Sequence, residues 1–340
     1  MKKPIATKNI TSIAKQNIKK WITISEEASL TTFGVAPGKR EIREYIRNGL
    51  ILLDKPSGPT SHQVDRLVKD LFREYGITIK KNSHGGTLDP RTSGVLVIAI
   101  ENSTKLMPIL LKSNKEYVAL MNLHSDVPRQ EIIKACNDFV GKIKQLPPVK
   151  SAVLRAVRER EIYSLKILEI RGRDVLMRVG CEAGTYIRRL HDDIGKRLNT
   201  GAHMQELRRS KSGIFTEKKL VTLQNLADAL AELKKGNEKP IRGIVLPMEI
   251  IGDNIRSVVI KDSAVGAICN GAPLAVQGCV KVEEGIVKGE WVGAFTLKGE
   301  LVSIGKAVKD YSKGFKRGMF VKTDRVLMKK GTYPNKWGKK

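Results

Sequence analysis

A single acidic residue, Asp89, sits inside the glycine-rich stretch "HGGTLDPRTSG" (residues 84–94), which runs directly into the apolar segment "VLVIAI". Pro90 bars Asp89 from the helical region, so the carboxylate is presented from an extended or turn backbone. A carboxylate held in this way can act as a nucleophile or a base when ionised. A second stretch, "GTYIRRLHDDIG", reads as a helix opening at the cap Thr185, which puts Arg188 in its first turn. A cation there opposes the positive end of the helix dipole, at a cost of about 0.3 kcal/mol or more, unless an anion lies beside it. Asp89 is a candidate for that anion, and a paired guanidinium would keep the carboxylate ionised and aimed. In "KEYVALMNLHSD", Tyr117 heads a strand-like run and offers a ring that could stack on a nucleobase.

Each of these residues also has a plainer reading. Asp-Pro between glycines is ordinary turn chemistry feeding a buried strand, Arg188 could simply face solvent, and Tyr117 could be core packing. His84 could stack on a base, wedge into a helix or be structural. Gly85 and Gly86 lack side chains and would let a large ligand approach the backbone. His191, Asp192 and Asp193 read as the polar face of their helix, because spacing supplies no third metal ligand. The four cysteines, Cys136, Cys181, Cys269 and Cys279, show no CxxC pairing, so neither a zinc cluster nor a disulfide framework is indicated, and a reducing compartment fits. There is no Walker A motif, no GxGxxG in a βαβ context and no nucleophile elbow. The familiar cofactor enzymes are therefore unsupported, and no cofactor or metal is expected.

The elements that must position these groups follow from hydrophobic spacing. Residues 1–50 are basic and mixed and read as an arm that needs a surface to dock on. Residues 51–250 alternate short apolar strands with amphipathic helices, an α+β pattern. One helix, "SHQVDRLVKDLFREYG", lines up Val64, Leu67, Val68 and Leu71. The helix carrying Arg188 lines up Ile187, Leu190, Ile194 and Leu198. A third starts at the cap Thr222, aligns Leu223, Leu226, Leu230 and Leu233, and stops at Gly236. Hairpins turn at Arg171–Arg173 and at Lys298–Gly299. The linker-like "GNEKPIRG" precedes a boundary near 250, and residues 254–330 are β-rich. No internal repeat, heptad pattern or low-complexity tract is present.

Composition points to the partner. The 340 residues carry 62 Lys and Arg against 35 Asp and Glu, a net charge of +27, of which residues 254–340 supply +10 from 17 against 7. An excess spread over both halves predicts a long polyanion, with nucleic acid first and a membrane surface second. Spanning a membrane is excluded for the apolar run 95–100, since a spanning helix needs about 20 residues. The opening "MKKPIATKNITS" has no apolar signal core.

Together, "LLDKPSGPTSHQV", "HGGTLDPRTSGVLVIAI", "KEYVALMNLHSD" and "GTYIRRLHDDIG…GAHMQELRRSKSG" resemble the motif blocks of the dyskerin and tRNA pseudouridine synthase B family. The tail "IRSVVIKDSAVGAICNGAPLAVQGCVKV…GIVKGEWVGAFTLKGELVSIGKA" resembles a PUA RNA-binding domain, and the short ends resemble archaeal members. The resemblance covers about residues 30–335. It implies a pseudouridine synthase domain with a mixed, largely antiparallel sheet and flanking helices, followed by a small β-rich PUA domain at 254–330. It also implies isomerisation of uridine to pseudouridine in RNA, at position 55 of tRNA or at guide-directed sites in rRNA, with no cofactor or metal.

By the same resemblance, Asp89 is the catalytic carboxylate and Arg188 its partner. Tyr186 belongs to the same TYIR motif, Tyr117 stacks on the target base and Leu207 walls the pocket. His84 helps displace the target nucleotide, and Lys55, Gly85 and Gly86 contact RNA. Ser83 and Leu146 depart from the family's pattern, which touches RNA contacts near them. The implied partners are tRNA, an H/ACA guide RNA, rRNA, two small Nop- and Gar-type proteins and a kink-turn-binding ribosomal-type protein, in the cytoplasm and away from membranes. A non-catalytic RNA-binding scaffold is the competing reading, and a ribosomal or chromatin structural protein a third. Neither explains why Asp89, Tyr117 and Arg188 occur together.

Overall fold

A computed structural model describes residues 19–26, 32–147, 154, 156–311 and 317–334. Residues 1–18 and 27–31 of the expected arm lie outside that set. Two sheets organise the chain. The larger has ten strands, in the order Val245–Pro247, Gly49–Lys55, Thr92–Ile100, Ala202–Ser212, Lys115–Leu123, Asp174–Cys181, Arg158–Arg171 and Gly141–Gln145, with Asn82–His84 paired to Thr92–Ile100 and Phe215–Thr216 to Ala202–Ser212. Among its described strands every pairing is antiparallel except Thr92–Ile100 with Ala202–Ser212. This is the mixed, largely antiparallel sheet that the family resemblance implies.

The continuous apolar run after Asp89 is explained by burial on both faces of the sheet. Leu96, Ile98 and Ile100 pack into the core beneath the helices, whereas Val95, Val97 and Ala99 join a second core on the opposite face. Strand Lys115–Leu123 instead alternates buried and half-buried residues and turns Tyr117, Ala119, Met121 and Leu123 toward the helices.

Helix Ser61–Glu74 opens on a capping box between Thr60 and Gln63, and helix Leu223–Lys234 on one between Thr222 and Asn225. In the first helix the buried face is Val64, Val68 and Phe72, with Leu71 at its margin. Leu67, expected on that face, is exposed, because Phe72 fills the place one turn beyond Val68. The helix carrying Arg188 runs Ile187–Arg197 with Tyr186 at its N-cap. Thr185 does not cap it, since its hydroxyl donates to the Glu182 carbonyl (2.7 Å).

The second sheet has seven strands, in the order Trp21–Thr23, Cys279–Glu283, Arg256–Ile260, Trp291–Phe295, Leu301–Ala307, Met319–Val326 and Leu274–Ala275. Its edge strand Trp21–Thr23 comes from the N-terminal segment. The same segment is fastened by Lys19, which donates to Glu283 Oε2 (2.8 Å) and Ser257 Oγ (2.6 Å), and by Arg40, which grips Glu249 through both terminal nitrogens. Leu301, Ile304 and Leu327 of this second unit pack with Leu50, Val97 and Leu110 of the first, so the two sheets share a core. Among the described residues no helix is long and apolar enough to cross a membrane.

Candidate active site

Asp89 lies on the turn between strands Asn82–His84 and Thr92–Ile100, closed by Thr92 N–H donating to the Asp89 carbonyl (2.9 Å). Two buried cations brace this turn from beneath. Lys55 is 0 % exposed and donates to the carbonyls of Pro56 (2.9 Å), Pro90 (3.1 Å) and Thr92 (2.8 Å). Arg209, 1 % exposed, donates through Nε to Val95 (2.8 Å) and through Nη2 to Gly86 (2.8 Å). The Gly86, Pro90 and Thr92 carbonyls thus gain charged donors, and that of Leu88 accepts from the Ser61 hydroxyl (3.0 Å), which fixes the backbone while leaving the Asp89 side chain outward. Gly94 allows this close approach. At φ +102 its missing Cβ would fall 2.3 Å from the Arg209 carbonyl oxygen.

Lys55 was expected to contact RNA, yet its ammonium is consumed inside the turn. Burial, then the Arg209 charge, pull its pKa below the usual value, with Asp89 acting the other way. The glycines also differ from expectation. Gly85 is packed against the Leu110 and Val97 side chains, where a Cβ would lie 3.1 Å and 3.5 Å away, so it makes room for the core. Gly86 faces Arg209 and Lys115, each 3.6 Å from where its Cβ would stand, and makes room for buried cations.

Arg188, the second residue of helix Ile187–Arg197, reaches back 99 positions and donates from Nη2 to Asp89 Oδ2. The two side chains are 49 % and 53 % exposed, so the pair stands open at the surface of the sheet. The anion that the helix start called for is therefore Asp89. The entry to the helix is held by Gln145, whose carboxamide accepts from Tyr186 N–H (3.0 Å) and donates to the Tyr186 carbonyl (3.1 Å). The Tyr186 backbone is thereby locked one residue before Ile187, and the residue is half-buried. Leu146, the departure from the family pattern, follows Gln145 directly and is half-buried.

Tyr117 lies opposite Arg209 in the register of the neighbouring strands, and Leu207, opposite both Thr92 and Ala119, bridges the Asp89 strand to the Tyr117 strand. Burial pushes the Tyr117 hydroxyl pKa up, against the opposing Arg209 charge, with Asp89 close enough to contribute. Lys115, two residues earlier, donates to the carbonyls of Leu110 (3.1 Å) and Ser113 (2.6 Å), and burial together with Arg209 lowers its pKa to about 7. Lys55 and Arg209 thus lie beneath the Asp89 turn, and Arg188 meets its carboxylate from the facing helix.

His84 is buried at the head of the turn, with Nδ1 2.5 Å from Asp65 Oδ2 and Nε2 3.2 Å from Thr87 Oγ1. Ser83 beside it is half-buried and pairs with Ala99. His191, read as part of a polar helix face, is instead wholly buried with no hydrogen-bond partner on either ring nitrogen, and burial lowers its pKa to about 4. One turn after Ile187 and Arg188 it faces the sheet beside Leu190 and Ile194, where the helix needs volume. Arg209 and Gln145 escaped sequence reading altogether. The run "QELRRSKS" looks solvated until strand register turns Arg208 out to Asp54 and Glu217 and Arg209 inward.

The site thus brings together an open carboxylate on a rigid turn, an arginine that pairs with it, and a tyrosine and a leucine on the adjoining strands. The chain matches the TruB family pseudouridylate synthase N-terminal domain over residues 74–187 and the tRNA pseudouridylate synthase B C-terminal domain over 188–251. It also matches a DKCLD (NUC011) domain over 12–65 and a PUA domain over 256–327. It is 50% identical over 322 residues to the probable tRNA pseudouridine synthase B of Methanopyrus kandleri, covering 94% of both chains. The chain belongs to the TruB family of pseudouridylate synthases. Among solved structures of this family, one in a Cbf5-Nop10-Gar1 complex matches with a TM-score of 0.86 and 45% identity, over 94% of this chain and 97% of that one. Another, in an H/ACA RNP bound to a substrate RNA containing 2′-deoxyuridine, matches with a TM-score of 0.86 and 43% identity, over 96% and 100%. Asp89 and Tyr117 fall within the N-terminal TruB match, and Arg188 opens the C-terminal one.

Proposed function

We propose that the chain isomerises uridine to pseudouridine in RNA, with Asp89 as the reacting carboxylate. The bond from ribose C1′ to uracil N1 breaks, the base turns within the site, and C1′ joins C5. The C5 hydrogen leaves to solvent and N1 ends protonated, so the sum is redox-neutral and calls for no electron carrier. Asp89 acts beneath the sugar, by attack at C1′ or by taking a proton from C2′, and both routes need the ionised carboxylate that Arg188 aims. Tyr117 stacks on the base, Leu207 and Tyr186 wall the pocket, and His84 meets the displaced nucleotide. Leaving the stack costs a few kcal/mol, returned by stacking and edge contacts in the pocket. The observation that carries the reading is the Asp89–Arg188 pair, closed across 99 residues on a turn braced by buried cations.

The same reading divides the chain into an arm at 1–50, a catalytic domain at 51–250 and a PUA domain at 254–330 that grips RNA away from the pocket. The partners are tRNA, or guide RNA and rRNA in an H/ACA assembly with Nop- and Gar-type proteins and a kink-turn-binding protein, in the cytoplasm. Asp89→Asn tests the assignment. It preserves shape and removes the reactive charge, so RNA binding and melting temperature stay at wild-type values while tritium release from RNA labelled at uridine C5 falls roughly 10³-fold or more. Wild-type turnover in Asp89→Asn would sink the assignment.

A further inference from the structure

We propose that His62, Asp65 and His84 form a binding site for one first-row transition-metal dication, with Zn2+ the natural occupant. His62 and Asp65 stand three residues apart on helix Ser61–Glu74 and share a face, and His84 ends the strand Asn82–His84 packed beside that helix. Asn82 ties the two elements by donating to the Asp65 carbonyl (2.6 Å). One ligand atom from each of the three side chains lies within 4.8 Å of the others, and the two imidazole centroids are 5.1 Å apart and edge-on at 78°.

The carboxylate carries the argument beyond proximity. Asp65 Oδ2 meets His84 Nδ1, but Oδ1 is buried and has no hydrogen-bond partner. A carboxylate oxygen removed from water without a partner is costly, and a cation between these three groups would satisfy it. His62 is exposed and gives an entry path from solvent. Two imidazoles and one carboxylate suit Zn2+, Ni2+ or Cu2+, whereas Mg2+ and Ca2+ favour oxygen-only shells. Three protein ligands leave a further position for water, as in open zinc sites. Because His84 also touches Thr87 at the head of the Asp89 turn, an occupied site would pin that turn to helix Ser61–Glu74.

The test uses the full chain, stripped with chelator and titrated with Co2+ as a spectroscopic probe, by calorimetry and visible absorption. Wild type should bind one equivalent with nitrogen and oxygen ligand-field bands and should melt at a higher temperature when loaded. His62→Ala and Asp65→Asn should each weaken binding by at least about 10-fold and abolish the melting shift. His203→Ala, which disrupts the surface pair of His124 and His203 (3.1 Å), should leave the binding unchanged. No saturable binding by wild type, full binding by both site variants, or loss confined to His203→Ala would each overturn the proposal.

Discussion

In the seven-stranded sheet, the buried acid Glu283 holds Lys19 and Arg256, and Glu300 accepts from the Tyr333 and Thr296 hydroxyls and the Val35 amide. Around Asp89 the buried ions are Lys55, Lys115 and Arg209, and they spend their protons on carbonyl oxygens instead of on acids. The first arrangement neutralises charge locally and fastens the N-terminal segment to the sheet. The second sets Lys55 and Arg209 against the carbonyls of a turn whose own acid points outward. Burying unpaired cations is expensive, so their concentration at one turn marks a place where stability is subordinate to function. What Lys55 and Arg209 provide is a rigid backbone under Asp89.

Variants can break this contrast. Arg209→Met should have the largest effect on stability, because it orphans the carbonyls of Val95 and Gly86 at about 1–3 kcal/mol each, read as a lower urea midpoint. An unchanged midpoint would mean that water replaces the guanidinium and that the brace is dispensable.

His191 sharpens the contrast on the pH axis. Its folded pKa, lowered from 6.5 to about 4, lies below the unfolded value, so the unfolded chain takes a proton first as pH falls. The stability it contributes is complete above pH 6.5 and drops by roughly 3 kcal/mol by pH 4. His191→Leu should flatten that part of the stability profile, and an identical slope in both proteins would remove His191 as its source.

Arg188→Ala should lower turnover roughly 10²-fold by releasing the aim of Asp89. Melting should hardly move, since ion pairs this open are worth about 0–1 kcal/mol. A collapse of the fold would make the pair structural. The smallest effect is expected for Arg256→Met, because Glu283 keeps Lys19 and the Ser257 amide, with a change under about 1 kcal/mol by urea denaturation.

Much of this was legible beforehand, for identifiable reasons. Pro90 marked Asp89 and an awkward place at a helix start marked Arg188, but each had a plainer local reading, and the family resemblance is what joined them. The Thr222 cap follows from local signals as well. What stayed hidden depends on which face a strand turns inward. Lys55 and Arg209 sit among basic residues that look solvated, and only the pairing of Gly94 with Arg209 and of Lys55 with Gly94 reveals that both point beneath the turn. Likewise His191, in a polar run, is buried because the helix packs on Ala202 and its neighbours through that side. Leu67 shows the reverse, an apolar residue at helical spacing that falls just off the covered face.

What distinguishes an enzyme from a scaffold here is base isomerisation on RNA. The most direct measurement is tritium release from C5-labelled uridine in a tRNA transcript and in a guide-targeted RNA, with wild-type protein alone and then with guide RNA and partner proteins. Release stoichiometric with pseudouridine is expected in at least one format. RNA binding without release in either format would contradict it and leave a scaffold.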